Sequence, residues 1–159
     1  MTDEINSAIR GFRDIILGGI PFLLQQNETA FLSFMCMVAA VDALAAYRYT
    51  TDKVGDRFSD FITEYYPSSY GPHATNLYLL RCRLLHNFSP AHFSLVHAQS
   101  PLHLQPSNIG DNYLSDDVFF KDLRDAAGTF FAEVAADKNR QRDMRARLLN
   151  VNQGGAIYY

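Results

Sequence analysis

The hydrophobic positions of the first fifty residues predict two helices of different kinds. Near the N-terminus, apolar residues recur at helical spacing: Ile5, Ile9, Phe12 and Ile16. This is the pattern of an amphipathic helix, and Gly18-Gly19 and Pro21 are expected to end it. From Asn27, a candidate N-cap, to about Tyr49 the chain is apolar nearly all round. That pattern predicts a second helix that is buried in the core.

Two further helices are predicted in the middle of the chain. Apolar residues at helical spacing over 58–65 indicate a third helix, which Pro67 stops. The loop that follows leads to Pro72, and proline is well suited to the first position of a helix. We expect the fourth helix to run from there to about Asn87, before Pro90.

The last third of the chain predicts a small β element and one long helix. Hydrophobic and polar residues alternate over 93–97 and again over 102–104, as in a β-hairpin. Ser115, which two aspartates follow, is a candidate N-cap for a final helix that continues into a basic segment. The predicted fold class is therefore all-α, a compact bundle of about five helices with a small β-hairpin after the fourth.

The composition is typical of one globular domain. The chain has 159 residues, of which 48% are hydrophobic and 19% charged, and its formal net charge is −3. These values predict a single domain over residues 1–150 and a flexible tail over 151–159. The acidic N-terminus is unlike a secretory signal, two cysteines give no disulfide framework, and no apolar run reaches the ~20 residues of a bilayer span. We therefore expect a cytoplasmic protein with no membrane contact.

The second and fourth helices each carry one isolated charge. On a helical wheel, Arg81 projects among the leucines of the fourth helix, and Asp42 is the charged residue within the apolar run of the second. Because arginine is rarely buried without a partner, the sequence predicts an ion pair between them. The alternative is that Arg81 extends along the edge of the domain with its guanidinium in solvent.

His86 is the second candidate for a catalytic residue. His86 lies near the predicted C-terminus of the fourth helix, where the helix dipole favours the imidazolium and the ring can act as acid or base. It follows Arg81 by about 140° around the helix, so the two converge only if the last turn distorts or if two copies meet about a two-fold axis. Four other histidines have no partners at metal-ligand spacing, which predicts surface or turn residues and no metal site: His73, His92, His97 and His103.

Basic residues are concentrated in one segment near the C-terminus. Residues 137–147 hold five basic and two acidic residues. A basic helix on an acidic body can contact phosphates, and a solvated helix without a ligand is the alternative. The candidate phosphate contacts are one arginine of the fourth helix and four of this segment: Arg83, Arg140, Arg142, Arg145 and Arg147.

The end of the fourth helix resembles a known signature. The string Arg81-Cys82-Arg83-Leu84-Leu85-His86-Asn87-Phe88 resembles the R-x4-H motif of the HEPN superfamily (higher eukaryotes and prokaryotes nucleotide-binding domains). The layout is also similar, because a buried, alanine-rich helix precedes the motif helix and another helix follows it. The resemblance covers about eight residues as a motif and most of the chain as an architecture.

This resemblance implies a function as well as a fold. It implies a homodimer whose motif helices face each other, and a metal-independent endoribonuclease of a toxin or defence system that uses no cofactor. His86 would act on the 2′-hydroxyl or the leaving oxygen as acid or base, and Arg81 would stabilise charge on the phosphate. Asp42 and Asn87 would support them. The implied partners are RNA and an antitoxin protein.

Two positions depart from the family's pattern and keep other functions open. Nuclease members usually have a polar residue after the motif arginine, where this chain has Cys82, and toxin-type members often have tyrosine where it has Phe88. The alternative is a catalytically silent HEPN-like module that dimerises or binds nucleotides or a partner protein. A third possibility is an unrelated helical adaptor in which Arg81 and His86 are structural.

Overall fold

The N-terminal helical region is longer than the sequence predicts. The computed structural model describes residues 1–151. Three helical segments follow one another without a gap: α1 (Asp3–Gly11), a π-helical segment (Phe12–Leu17) and α2 (Gly18–Leu23). The predicted helix end at Gly18-Gly19 and Pro21 is therefore wrong. Burial of Phe12 and Ile20 in the core outweighs the weak helix propensity of these residues.

The three central helices confirm the prediction. They are α3 (Asn27–Arg48), α4 (Val54–Tyr65) and α5 (Ala74–Asn87). Asn27 is the first helical residue, so the N-cap position falls on Gln26 and not on Asn27 as predicted. Pro72 lies in a 3₁₀ turn (Ser68–His73) that leads into α5, and is not the first residue of that helix.

The strand pair is parallel, so the predicted β-hairpin is wrong in its topology. The elements of this region are β1 (Phe93–Val96), a 3₁₀ turn (Ser100–Leu102) and β2 (Asn112–Ser115). The two strands pair in parallel along their whole length. Leu104, expected in the second strand, instead donates its amide to the Tyr113 carbonyl at 2.8 Å. Ala98 and Leu104 both have positive φ. The chain turns at these two positions, so that the second strand does not run antiparallel to the first.

The predicted final helix is two helices. They are α6 (Asp116–Ala136) and α7 (Lys138–Val151), and α7 holds the basic segment. The backbone is extended at Asp137, whose carboxylate accepts a hydrogen bond from the Asn139 amide at 2.7 Å and so caps α7. Of the predicted flexible tail, Val151 is the last residue of α7, and residues 152–159 lie outside the described part of the chain.

Helix α3 forms the centre of the core. Its buried residues are Ala30, Ser33, Phe34, Met37, Val38, Ala40, Val41, Leu44 and Ala45. The helix packs against α2, α4, α5, α6 and α7, which confirms the predicted buried helix and the all-α bundle. By length and composition α3 is also apolar enough to cross a membrane, and half of its most apolar window is buried inside the fold. The cytoplasmic location stays a prediction.

Candidate functional site

Asp42 and Arg81 join α3 to α5. The Nη2 and Nε atoms of Arg81 donate hydrogen bonds to Oδ2 of Asp42 at 2.6 and 3.2 Å. The side chains are 22% and 15% exposed, so the pair lies at the edge of the core. This is the ion pair that the two isolated charges predict, and two bonds to one carboxylate fix the direction of the guanidinium.

A second arginine, which sequence reasoning missed, contacts the same carboxylate. The Nη2 atom of Arg57, in α4, lies 3.5 Å from Oδ1 of Asp42, and the Arg57 side chain is 8% exposed. Asp42 therefore ties α3, α4 and α5 together. The signal that could have found Arg57 is its spacing, because it lies three residues after Val54 and four before Phe61, on the apolar stripe of α4.

Burial and charge act on Arg81 in opposite directions. Partial burial lowers the pKa of Arg81, whereas the hydrogen bonds and the negative charge of Asp42 raise it. The second effect prevails, so the pKa of Arg81 lies above its ordinary value and the guanidinium keeps its positive charge. A cation that is held in place in this way can stabilise a negatively charged phosphate.

Cys82 and Tyr78 lie next to this ion pair on α5. Proximity to the Cys82 thiol, followed by partial burial, raises the pKa of Tyr78, and the charges of Arg81 and Asp42 also act on its hydroxyl. Gly55 of α4 lets the Tyr78 ring approach, since a Cβ there would lie 2.9 Å from Cε1 of the ring. The residue that departs from the family's pattern, Cys82, thus lies one helical turn from Tyr78.

The remaining motif residues lie on the exposed surface of α5. His86 and Asn87 are exposed in the last turn of the helix, and Arg83 is exposed one turn earlier. Among the described residues, no hydrogen bond or ion pair joins His86 to Arg81, and the two directions differ by about 140°. One chain alone therefore does not bring the two predicted catalytic residues together.

Helix α5 ends at a left-handed residue that is not glycine. Phe88 has φ 53° and ψ 35°, its amide donates to the Leu84 carbonyl, and the Ser89 amide donates to the Arg83 carbonyl. The first of these bonds is that of an αL C-cap, in which glycine is usual at the left-handed position. A side chain there costs about 1–2 kcal/mol. Phe88 nevertheless stands 67% exposed, two residues after His86.

Replacing Phe88 with glycine should stabilise the protein. The left-handed backbone is relieved and little buried surface is lost, so we expect the free energy of unfolding to rise by about 0.5–1 kcal/mol. Asn87→Gly, one residue earlier and inside the helix, is the matched control and should lower it by about 0.1–0.4 kcal/mol, the small difference in helix propensity between asparagine and glycine. Urea unfolding measures both. A less stable Phe88→Gly would show that the ring packs against the fold.

The arginines of α7 are largely engaged with acidic residues of the fold. Three of the four candidates form ion pairs across the structure: Arg140 with Glu64 and Glu133, Arg145 with Glu4, and Arg147 with Asp52. Arg142 is 71% exposed and contacts the neighbouring Asp143. These ion pairs join α7 to the rest of the fold, so that Arg83 and Arg142 are the better placed of the candidates for a phosphate contact.

A second polar cluster, also missed in the sequence, gathers at the N-terminus of α6. Asp116 is fully buried, and its Oδ2 lies 2.7 Å from Nδ1 of His97. Its Oδ1 accepts hydrogen bonds from the amides of Ala98 and Asp117 at 2.9 and 2.8 Å. The carboxylate thus links the end of β1 to the start of α6, with His97 as one of its donors.

His103 lies beside this cluster. Its Nδ1 accepts a hydrogen bond from the Ser115 amide at 3.2 Å, its ring centroid is 5.3 Å from that of Tyr70, and burial lowers its pKa. His103 lies in a turn and His97 in a bend, in agreement with the prediction of surface or turn residues, and both also contact the segments that form the strand pair. Since Tyr70 precedes α5 and His86 ends it, the cluster is on the order of 20 Å from His86.

Removing the Asp116 carboxylate should destabilise the protein. Asp116→Ala removes a fully buried carboxylate and leaves its three part-buried donors without their acceptor, so we expect the free energy of unfolding to fall by about 2–3 kcal/mol. Asp125→Ala, at a 57% exposed position of the same helix, is the control and should change it by less than about 0.5 kcal/mol. Thermal unfolding compares the two, and equal effects would contradict the buried role of Asp116.

Known proteins give no direct guide to this site. Comparison of the chain with protein-family models, with curated proteins and with solved structures found no match. Among residues 1–151, no three histidine, cysteine, aspartate or glutamate side chains are grouped so that they could hold a metal ion. The resemblance to the HEPN superfamily rests on the motif and on the layout of the helices, and the functions that it implies are proposals.

Proposed function

We propose that this chain is a HEPN-like domain that acts on RNA as a metal-independent endoribonuclease of a toxin or defence system. The observation that carries the proposal is the fixed guanidinium of Arg81, which Asp42 holds by two hydrogen bonds. The exposed His86 follows it five residues later on the same helix. An oriented cation and an exposed histidine are suited to phosphodiester cleavage.

The chemistry assigns a role to each group. The 2′-hydroxyl of the RNA attacks the adjacent phosphorus, a base takes its proton, and an acid gives a proton to the 5′-oxygen as it leaves. Negative charge builds up on the non-bridging oxygens of the phosphate. His86 is suited to act as acid or base, and Arg81 to stabilise the charge. The products are a 2′,3′-cyclic phosphate and a 5′-hydroxyl.

A homodimer through α5 belongs to this proposal. Thr75, Leu79 and His86 are exposed along one face of the helix, and Leu79 presents an apolar side chain there that is 38% exposed. A second copy about a two-fold axis near the end of α5 would bring His86 of each copy towards the exposed edge of Arg81 in the other, with one His86 to take up a proton and the other to give one. An antitoxin partner and a cytoplasmic location complete the proposal.

Incubation with single-stranded RNA in EDTA tests the proposal. We expect the purified protein to produce fragments that end in a cyclic phosphate, and His86→Ala, prepared in parallel, to produce almost none. Light scattering at micromolar concentration should report a dimer. Equal cleavage by both preparations would identify a contaminating nuclease, and a monomer that does not cleave would reject the proposal.

One observation favours a second candidate function. Arg81 turns towards Asp42, and the direction of His86 around α5 differs from that of Arg81 by about 140°. In addition, Phe88 has no hydroxyl. This arrangement fits a catalytically silent HEPN-like module that dimerises or binds nucleotides or a partner protein. A dimer that binds RNA without cleaving it, equally well in wild type and in His86→Ala, would favour this function.

A further inference from the structure

The charged groups around Asp42 leave a positive excess. The guanidiniums of Arg57 and Arg81 lie 3.5 and 2.6 Å from its two carboxylate oxygens, so three charged groups carry a net charge of +1. Asp56 and Asp60, the acids nearest to Arg57 along α4, are exposed. Within residues 1–151 neither of them forms an ion pair with Arg57 or Arg81.

Arg57 is poorly satisfied for so buried a charge. Its side chain is 8% exposed, its contact to Asp42 is long, and its buried Nε has no hydrogen-bond partner among the described residues. Taking a guanidinium out of water costs more than such a contact returns, so an apolar side chain of similar length should be equally stable or more stable here. Stability alone therefore does not explain an arginine at this position.

We propose that Arg57 is a positioning residue that keeps Arg81 available for a phosphate group of RNA. With Arg81 as its single partner, the Asp42 carboxylate would neutralise the guanidinium and the pair would attract no anion. With Arg57 on the second oxygen, the cluster keeps a charge of +1, and Arg81, 22% exposed, presents it to solvent. The inference rests on the proposed function, because it explains how Arg81 remains an electrostatic partner for RNA.

RNA binding by Arg57 variants tests this role. The ligand is a short 2′-O-methyl RNA, which has no free 2′-hydroxyl and cannot be cleaved, and fluorescence anisotropy at several salt concentrations measures its affinity. We expect Arg57→Met to weaken binding about three- to tenfold and to reduce the salt slope by up to about 0.7. Its melting temperature should stay equal or rise, and Arg57→Lys should bind nearly as well as wild type.

Matched controls show whether a loss of RNA affinity comes from the position of Arg57, from the change in net charge or from a loss of stability. Arg124→Met removes one positive charge at a 60% exposed position of α6 and should leave affinity nearly unchanged. A loss in Arg57→Met no larger than in Arg124→Met would overturn the inference. Arg57→Gln repeats the test if the methionine variant does not fold. Failure of both neutral variants to fold would show a purely structural ion pair and would also overturn it.

Inorganic phosphate separates this inference from the proposed function. Titration with phosphate, followed by the Nε–H resonance of Arg81 in ¹⁵N NMR, should give an apparent Kd about three- to tenfold weaker in Arg57→Met than in wild type. If that difference appears in a protein that does not cleave RNA, the anion site stands and the ribonuclease proposal fails. An Arg81 resonance that does not move in wild type would reject the inference.

Discussion

Asp42→Ala should lower the free energy of unfolding by about 3–5 kcal/mol. The substitution leaves Arg57 and Arg81 without the carboxylate that both contact. Removing one partner of a buried ion pair has this cost because the remaining charge stays desolvated and uncompensated. Arg57, 8% exposed, has little access to solvent as a replacement for Asp42. Urea unfolding followed by circular dichroism measures the loss.

Two further variants show whether the effect comes from the uncompensated charge. Asp60→Ala removes an exposed acid of α4 and should change stability by less than about 0.5 kcal/mol. The double variant Asp42→Ala/Arg57→Met should recover a large part of the loss, because the buried charge leaves together with its partner. A loss below about 1 kcal/mol in Asp42→Ala alone would mean that both arginines reach solvent, contrary to the three-helix link.

His86→Ala should reduce the rate of RNA cleavage about 10²–10⁴-fold, the usual contribution of general acid–base catalysis. The fold should be unaffected, because His86 is exposed at the end of α5 and surface substitutions change stability by less than about 0.5 kcal/mol. Single-turnover cleavage of single-stranded RNA in EDTA gives the rate, and thermal unfolding of the same preparations gives the stability.

A second histidine provides the matched control. His92 is 52% exposed and lies in the loop between α5 and β1, so His92→Ala removes an imidazole without touching the motif. It should cleave RNA at the wild-type rate. A fall in rate that is equal in both variants, or a His86→Ala protein that has lost stability as well as activity, would contradict the catalytic role of His86.

The helices could be predicted because their signals are local, whereas the strand pair could not. The spacing of apolar residues and the prolines around α4 and α5 lie within a few residues of the elements that they define. Pairing of Phe93 with Asn112 joins residues far apart in the chain and depends on the turns at Ala98 and Leu104. Gly18, Gly19 and Pro21 predicted a helix end that does not occur, because core packing outweighs the weak helix propensity of these residues.

Part of the candidate site could be predicted, because the signals of two of its residues are also local in the sequence. Asp42 and Arg81 stand out in the sequence because each is a charge among apolar neighbours, and the structure pairs them. Arg57 lies on the apolar spacing of α4, but Asp56 beside it makes the segment look like a solvent-exposed face, so this signal is weaker than those of Asp42 and Arg81. The buried contact of His97 with Asp116 depends on where two distant segments meet, and single-sequence patterns carry no signal for that.

The position of α7 has a consequence for synthesis of the protein. Helix α7 packs on α1 and α3 and buries Met144 and Leu148, yet it begins about 90 residues after α3 ends, from Arg48 to Lys138. At roughly 5–20 residues per second, a ribosome needs about 5–20 s to make that stretch. For that time the nascent chain exposes part of its most hydrophobic helix, which makes α3 the segment where we expect chaperones to bind.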